Sequence, residues 1–222
     1  MKVLVFDTET TGLPERNASI MDTHKWPHIV QLSYILYDTI TKQIITMQDD
    51  LIKIPLTVEI TPGSEAVHHI SRLMCEANGI SIIESLNYFN KALLKADVII
   101  GHNISFDKRL IMVECMRANM RQHFTINGIR KEEYCTMKKS TELCQIVITN
   151  PDGTTYCKFP TLTELHLKLF GNKPNGTHNA LADILICLRC YMQIVNNYDF
   201  MADSTNESNY LKNLYIKTTT TF

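Results

Sequence analysis

Asp7 and Glu9 stand two residues apart at the end of the apolar run Lys2-Val3-Leu4-Val5-Phe6. Side chains at i and i+2 of a strand share a face, so both carboxylates would leave the edge of a buried sheet together. Neighbouring negative charges repel, and a divalent cation between them removes that penalty. Alone, the pair is a weak motif and reads more readily as a solvated strand end. A second acid follows Val98-Ile99-Ile100, a short apolar run with a glycine and polar turn behind it, Gly101-His102-Asn103. The next segment carries a helical stripe at Phe106, Leu110, Val113 and Met116 and puts Asp107 in its first turn, with Asn103 or Ser105 expected to cap it. An acid there also complements the helix dipole without any further role. The third block is Thr177-His178-Asn179-Ala180-Leu181-Ala182-Asp183, behind the turn cluster Asn172-Lys173-Pro174-Asn175-Gly176. His178 falls on the loop or at the helix start and Asp183 inside the helix. A carboxylate fixed on a helix suits a ligand and a histidine on a freer loop suits a proton acceptor, although the same spacing also serves a surface pair.

These side chains need a scaffold that brings strand ends and helix starts together. Ile29 to Tyr37 and Ile44 to Ile52 alternate as a strand pair that continues an antiparallel meander from the first strand. Short helical pieces are expected from Ser64 to Cys75 and a longer helix from Ile82 to Lys95. A later hairpin joins Gln145 to Thr149 with Thr154 to Lys158 through Asn150-Pro151-Asp152-Gly153, outside the main sheet. The order is three strands, helix, strand, helix, strand, helices, an α/β pattern.

The three blocks, in this order, resemble the DEDDh exonucleases, the superfamily of polymerase proofreading subunits and ribonuclease T. Smaller signatures agree: Trp26-Pro27-His28-Ile29-Val30-Gln31-Leu32, Ala66-Val67-His68-His69-Ile70-Ser71, and Phe159-Pro160-Thr161-Leu162-Thr163-Glu164-Leu165 with Leu169-Phe170-Gly171 behind it. Many relatives have glycine where His69 stands, which is a departure. The resemblance covers residues 1 to 195 and implies a ribonuclease-H-like fold, a mixed five-stranded sheet with helices on both faces. It places four metal-binding carboxylates on Asp7, Glu9, Asp107 and Asp183 and the general base on His178.

Hard oxygen ligands suit Mg2+ or Mn2+ rather than zinc. The resemblance implies two ions per site, about 4 Å apart, clamping the attacking and leaving oxygens of a phosphodiester. Asp7 would touch both, Glu9 and Asp183 would complete the shell of the ion that binds the nucleophilic water, and Asp107 would hold the second. His178 would take the proton, so activity is expected to rise through neutral pH. Backbone groups around Thr10 and Thr11 are implied to meet the 3′-hydroxyl, and Leu13, Val67, His68 and Phe106 to pack against the last bases and sugars. Val67 and Phe106 read equally well as core.

The function expected is a metal-dependent 3′-to-5′ exonuclease acting on single-stranded or frayed DNA ends. An exoribonuclease on the same fold and a polymerase-bound or repair-complex subunit stay open. A noncatalytic binding module is disfavoured, since a scaffold has no physical need for clustered acids. With 22 Lys and Arg against 23 Asp and Glu, the chain lacks the basic surplus that coats nucleic acid through counterion release. Binding must then use local cations, for which Lys108, Arg109, Arg117, Lys138 and Lys139 are the candidates.

No run approaches the ~20 apolar residues that span a bilayer, and the opening run is too short for a secretory core, so an intracellular protein of cytoplasm or nucleus is expected. Seven cysteines, an odd count, fit reduced thiols, and Cys187 and Cys190 read as mid-helix core rather than a zinc pair. The Asn-x-Ser/Thr matches at Asn17, Asn103, Asn175 and Asn206 then carry no glycosylation meaning. Residues 1–197 read as the exonuclease domain and 198–222 as a C-terminal helix or tail. Tyr210, Leu211, Leu214, Tyr215 and Ile216 form either a last packed helix or a docking segment, and Thr218 to Thr221 are expected to fray.

Overall fold

β1 (Lys2–Thr10) is the middle strand of five. In the computed structural model, which describes residues 1–204 and 209–220, it is flanked by β2 (Ile29–Asp38) on one side and β4 (Val98–Gly101) on the other. Asn206 and Thr221 lie outside the described residues. β3 (Gln43–Leu51) and β7 (Glu132–Cys135) complete the order β3-β2-β1-β4-β7. The first three strands run antiparallel as the meander expected, while β1, β4 and β7 run parallel. The parallel crossovers pass through α1 (Pro62–His68), α2 (Arg72–Asn78) and α3 (Ile82–Lys95) into β4, and through α4 (Ile104–Arg117) into β7.

Period-two alternation divides the core. Val3 and Val5 face one apolar cluster with α7 (Leu162–Phe170) and α8 (Ala180–Asn196), whereas Leu4 and Phe6 face another with α3 and α4. Both faces of β1 are therefore covered, which is why its opening run is uniformly apolar. α5 (Thr136–Lys139) and α6 (Thr141–Cys144) lead to β8 (Val147–Thr149) and β9 (Thr155–Cys157), the hairpin expected outside the main sheet.

The sequence reading missed another hairpin, β5 (Thr125–Ile126) and β6 (Ile129–Arg130). Asn127 and Gly128 at its tip both have positive φ, 50° and 79°, as a type I′ turn demands. A capping expectation also needs correction. Asn103 occupies the N-cap of α4 but is left-handed (φ 68°) and makes no side-chain cap bond, because a capping side chain needs an extended backbone to reach the next amides. The last helix, α9 (Asn209–Thr220), does not fray at Thr218: Thr219 is buried and its hydroxyl donates to the Tyr215 carbonyl at 2.7 Å.

α9 is bound to the body by a polar cluster. Arg189 of α8 makes two bonds to Asp199, Nε to Oδ1 at 2.9 Å and Nη2 to Oδ2 at 2.8 Å, and its guanidinium lies 3.8 Å over the Phe170 ring. His166 is fully buried beside it, with Nδ1 2.9 Å from the Asn172 carbonyl and Nε2 2.9 Å from the Tyr215 hydroxyl. Only a protonated Nδ1 can bond a carbonyl, so Nε2 accepts from Tyr215. Leu211 and Tyr215 are buried in the same cluster as Val3 and Val5.

Candidate active site

The alternation that sends Val3 and Val5 toward α8 continues to Asp7 and Glu9, and α8 carries Asp183 in its first turn. One carboxylate oxygen from each of Asp7, Glu9 and Asp183 lies within 4.8 Å of the other two, and among the described residues no other group of three metal-type donors forms. Asp107 is outside that triplet but in the same electrostatic neighbourhood. It is buried, and it is the strongest charged neighbour acting on Asp7.

Thr8 explains how Asp107 arrives there. The ladder between β1 and β4 ends at Val5 and Ile100, so β1 outruns its parallel neighbour. Thr8 turns to the opposite face from Asp7 and Glu9, and both its amide (3.1 Å) and its hydroxyl (2.7 Å) donate to Asp107 Oδ1. No local motif names Thr8, but the alternation that pairs the two acids already points it toward α4.

Asp183 is set by a second relay. Gln31 of β2 accepts from the Ala180 amide at 3.2 Å and donates to Asp49 of β3 at 2.7 Å, fixing the start of α8 against the sheet. Ser33 also donates to that Asp49 oxygen, at 2.5 Å. Asn179 caps α8 by accepting from the Ala182 amide. His178 sits just ahead on the loop, exposed and with φ 71°, and its amide donates to Asp183 Oδ2 at 3.1 Å. Asp183 Oδ1 is buried with no hydrogen-bond partner.

The protonation balance reflects this crowding. Burial, then the charges of Asp107, Asp183 and Glu9, push Asp7 well above the ordinary carboxylate range. Glu9 is pushed up to about 8 by burial and by Asp183 and Asp107. Burial raises Asp107 to about 7 against the opposing bonds from Thr8, and raises Asp183 to about 7 against the bond from the His178 amide. Four acids that resist ionisation, one with an orphaned oxygen, fit a hard divalent cation: oxygen donors only, excess negative charge, and a lone pair aimed at nothing in the protein.

The expected substrate contacts mostly converge. Thr10, Leu13, Val67, His68 and Phe106 line one cleft of about 480 Å³ together with Thr8 and Glu9. Leu13 and Val67 are exposed, 83% and 47%, so Val67 is not core; Phe106 packs partly against the α3–α4 cluster. His68 is buried and braces the end of β1. Its Nδ1 accepts from the Ile70 amide at 3.0 Å, which leaves Nε2 as donor to the Thr10 carbonyl at 3.1 Å. Thr11 is occupied within the protein: its amide donates to His28, its carbonyl accepts from Thr61, and its hydroxyl accepts from the His28 amide. His69 ends α1 in the left-handed region, φ 60°, a conformation glycine adopts without steric penalty.

Two basic residues read as phosphate contacts are committed elsewhere. Arg117 donates to the carbonyls of Pro27, Thr23 and Trp26 and to Glu114, and Lys108 pairs with Glu133. His102 is structural, with Nδ1 3.0 Å from the Thr136 hydroxyl and Nε2 3.0 Å from the Pro160 carbonyl, and burial pushes it down to about 4. Among the described residues no helix is long and apolar enough to cross a membrane.

Acids gathered at the end of the central strand of this mixed sheet define the ribonuclease-H-like nuclease arrangement. The chain belongs to the RNase_T exonuclease family, whose model matches residues 4–191. Its fold is similar to that of E. coli exonuclease I in complex with a dT13 oligonucleotide (TM-score 0.65, 16% identity, covering 86% of this chain and 41% of that one). The same protein with dA16 gives TM-score 0.64 at 16% identity over 87% and 41%. Exonuclease I in its apo form gives 0.65 at 14% over 94% and 44%. The chain thus spans about two fifths of the length of these structures. No curated protein matches it in sequence.

Proposed function

We propose that the protein hydrolyses nucleic acid stepwise from the 3′ end, with single-stranded DNA the favoured substrate, using two Mg2+ or Mn2+ ions held by Asp7, Glu9, Asp107 and Asp183. The observation that carries the reading is the triplet of carboxylate oxygens within 4.8 Å beside the orphaned Asp183 Oδ1. Bound ions would supply the Lewis acidity that lets a water attack phosphorus near neutral pH. Asp7, which feels the charges of Asp107, Asp183 and Glu9, would help hold the cations. Thr8 holds Asp107 and Gln31 holds the start of α8, so both outlying ligands are oriented before substrate arrives. His178 accepts the proton of the attacking water, and the bond from its amide to Asp183 ties that loop to a ligand.

Leu13, Val67 and Phe106 supply apolar contact for the terminal nucleotide, which tolerates any base. The dT13 and dA16 complexes of the structural neighbours favour a single DNA strand as substrate. Residues 1–197 form the catalytic unit in this reading, with α9 packed over it. Leu211 and Tyr215 of α9 are buried against that unit, while Tyr210 and Ile216 stay exposed.

The test is incubation of end-labelled single-stranded DNA and matched RNA with Mg2+, Mn2+ or chelator, beside Asp7→Ala and His178→Ala. Stepwise 3′ erosion that stops in chelator, and falls at least ~100-fold in both variants, is the expected result. Equal turnover by wild type and Asp7→Ala would remove the assignment, and faster RNA decay would make it an exoribonuclease.

A further inference from the structure

A second cleft, of about 500 Å³, lies along α4. Its walls are Lys108, Arg109 and Met112 of α4, the loop segment Ala18–Ile20, and Phe124, Thr125 and Arg130 at the β5–β6 hairpin, with Glu133 beneath. Glu133 neutralises Lys108. The side chains of Arg109 and Arg130 are exposed and have no ion-pair or hydrogen-bond partner among the described residues. The cleft therefore carries two uncompensated positive charges in a chain whose formal net charge is −1.

Its position gives those charges a use. Phe106, which lines the terminal-nucleotide cleft, and Arg109 are one helical turn apart on α4, about 5 Å along its axis. A strand whose 3′ end sat among Leu13, Val67 and Phe106 and followed this turn of α4 would meet Arg109 next. Cations held by the carboxylates would offset charge only at the reaction centre, so phosphates further along the strand need partners of their own. The β5–β6 hairpin projects Arg130 across from Arg109, so two guanidinium groups, each able to bond phosphate oxygens in pairs, face one groove.

We infer that the Arg109–Arg130 groove is a binding site for the phosphodiester backbone of the substrate strand, upstream of the terminal nucleotide. The inference rests on the exonuclease reading for its direction, since the groove leads away from the proposed 3′-end cleft. It assigns to the β5–β6 hairpin, which contributes nothing to the sheet or to the carboxylate site, the task of gripping strands longer than the terminal cleft can hold.

The test is fluorescence anisotropy in chelator, in the Asp7→Asn protein so that no strand is degraded, with dT3, dT12 and rU12 labelled at the 5′ end. Arg109→Gln/Arg130→Gln is expected to weaken dT12 and rU12 at least tenfold and dT3 much less. It should also lower the slope of log K against log salt by about 1.4, near 0.7 per cation removed from a single-strand contact. Lys95→Gln, an exposed lysine at the far end of α3, is expected to leave all three unchanged. An unaltered dT12 affinity and salt slope in the double variant, or an equal loss for dT3 and dT12, overturns the groove. A dT12 loss without one for rU12 restricts the site to DNA and overturns the shared-backbone form. Because binding is read without metal or turnover, failure of the catalytic assignment would show separately, as a wild-type protein that erodes no strand in Mg2+.

Discussion

Two clusters of charged side chains are packed into this molecule, and they obey opposite rules. Around Arg189 every group finds its complement: Asp199 takes the guanidinium in two bonds, His166 takes the Tyr215 hydroxyl and gives its other nitrogen to Asn172. Burial works to raise Asp199, and its bonds to Arg189 more than reverse this, leaving it below the ordinary carboxylate range. Around Asp7 all the charges share one sign, all are pushed up, and an oxygen of Asp183 has nothing to bond. The first cluster is finished by the fold alone. The second is finished only by something that is not protein, which separates a structural ionic network from a working one.

The sharpest way to break this contrast is to alter one member of each cluster. Asp7→Asn is expected to reduce turnover on labelled 3′ ends at least ~100-fold while raising the thermal midpoint in chelator, because one repelling charge is gone. Asp199→Ala is expected to lower stability by about 3 kcal/mol in urea titration, since Arg189 is left largely buried without its counter-charge. Matching signs of the two stability changes in chelator would erase the distinction.

Added cation sharpens it further. At a hundredfold excess of Mg2+ over its Kd, the wild type should gain about 2.7 kcal/mol for each ion bound and Asp7→Asn distinctly less, read as thermal shifts. The pH dependence has a definite sign. Without metal, the folded acids keep protons up to about 7 for Asp107 and Asp183 and about 8 for Glu9, while the unfolded chain releases them near 4. The folded state thus binds more protons between those limits. The contribution of these acids to stability is full below pH 4, falls as pH rises toward 8, and is levelled by saturating Mg2+. Denaturation in chelator at pH 7 and 8, above the range in which the depressed His68, His102 and His166 add stability with rising pH, checks this, and a rise in stability over that interval would mean the carboxylates do not crowd one another.

The smallest effect concerns the end of α1. His69→Gly relieves a left-handed residue at the end of α1 and is expected to add roughly 0.5–1 kcal/mol, seen as a small upward thermal shift.

Much of the acidic site was legible because each acid sits where a local rule places it: Asp7 and Glu9 by strand alternation, Asp107 and Asp183 in first helical turns. The strand meander and the helix Ile82–Lys95 were legible for the same reason, since their apolar periods are unbroken. Arg117 misled because sequence shows a charge but not the carbonyls of Thr23, Trp26 and Pro27 that surround it. The Asn127-Gly128 turn carried its signal, yet strands of two residues leave no alternation to flank it. The Arg189 cluster had no local pattern at all. Residues 166, 172, 189, 199 and 215 meet only after α7, α8 and α9 have packed.

The imidazole of His166 faces two ways: one nitrogen touches the last helix and the other holds Asn172, six residues ahead of His178. Clipping the chain before Tyr215 would strip the hydroxyl from one side of that ring, and the loosening would be felt on the other, in the segment that carries the proposed proton acceptor. Damage inflicted at the trailing end of the polypeptide would thus surface as sluggish chemistry at the opposite end of α8.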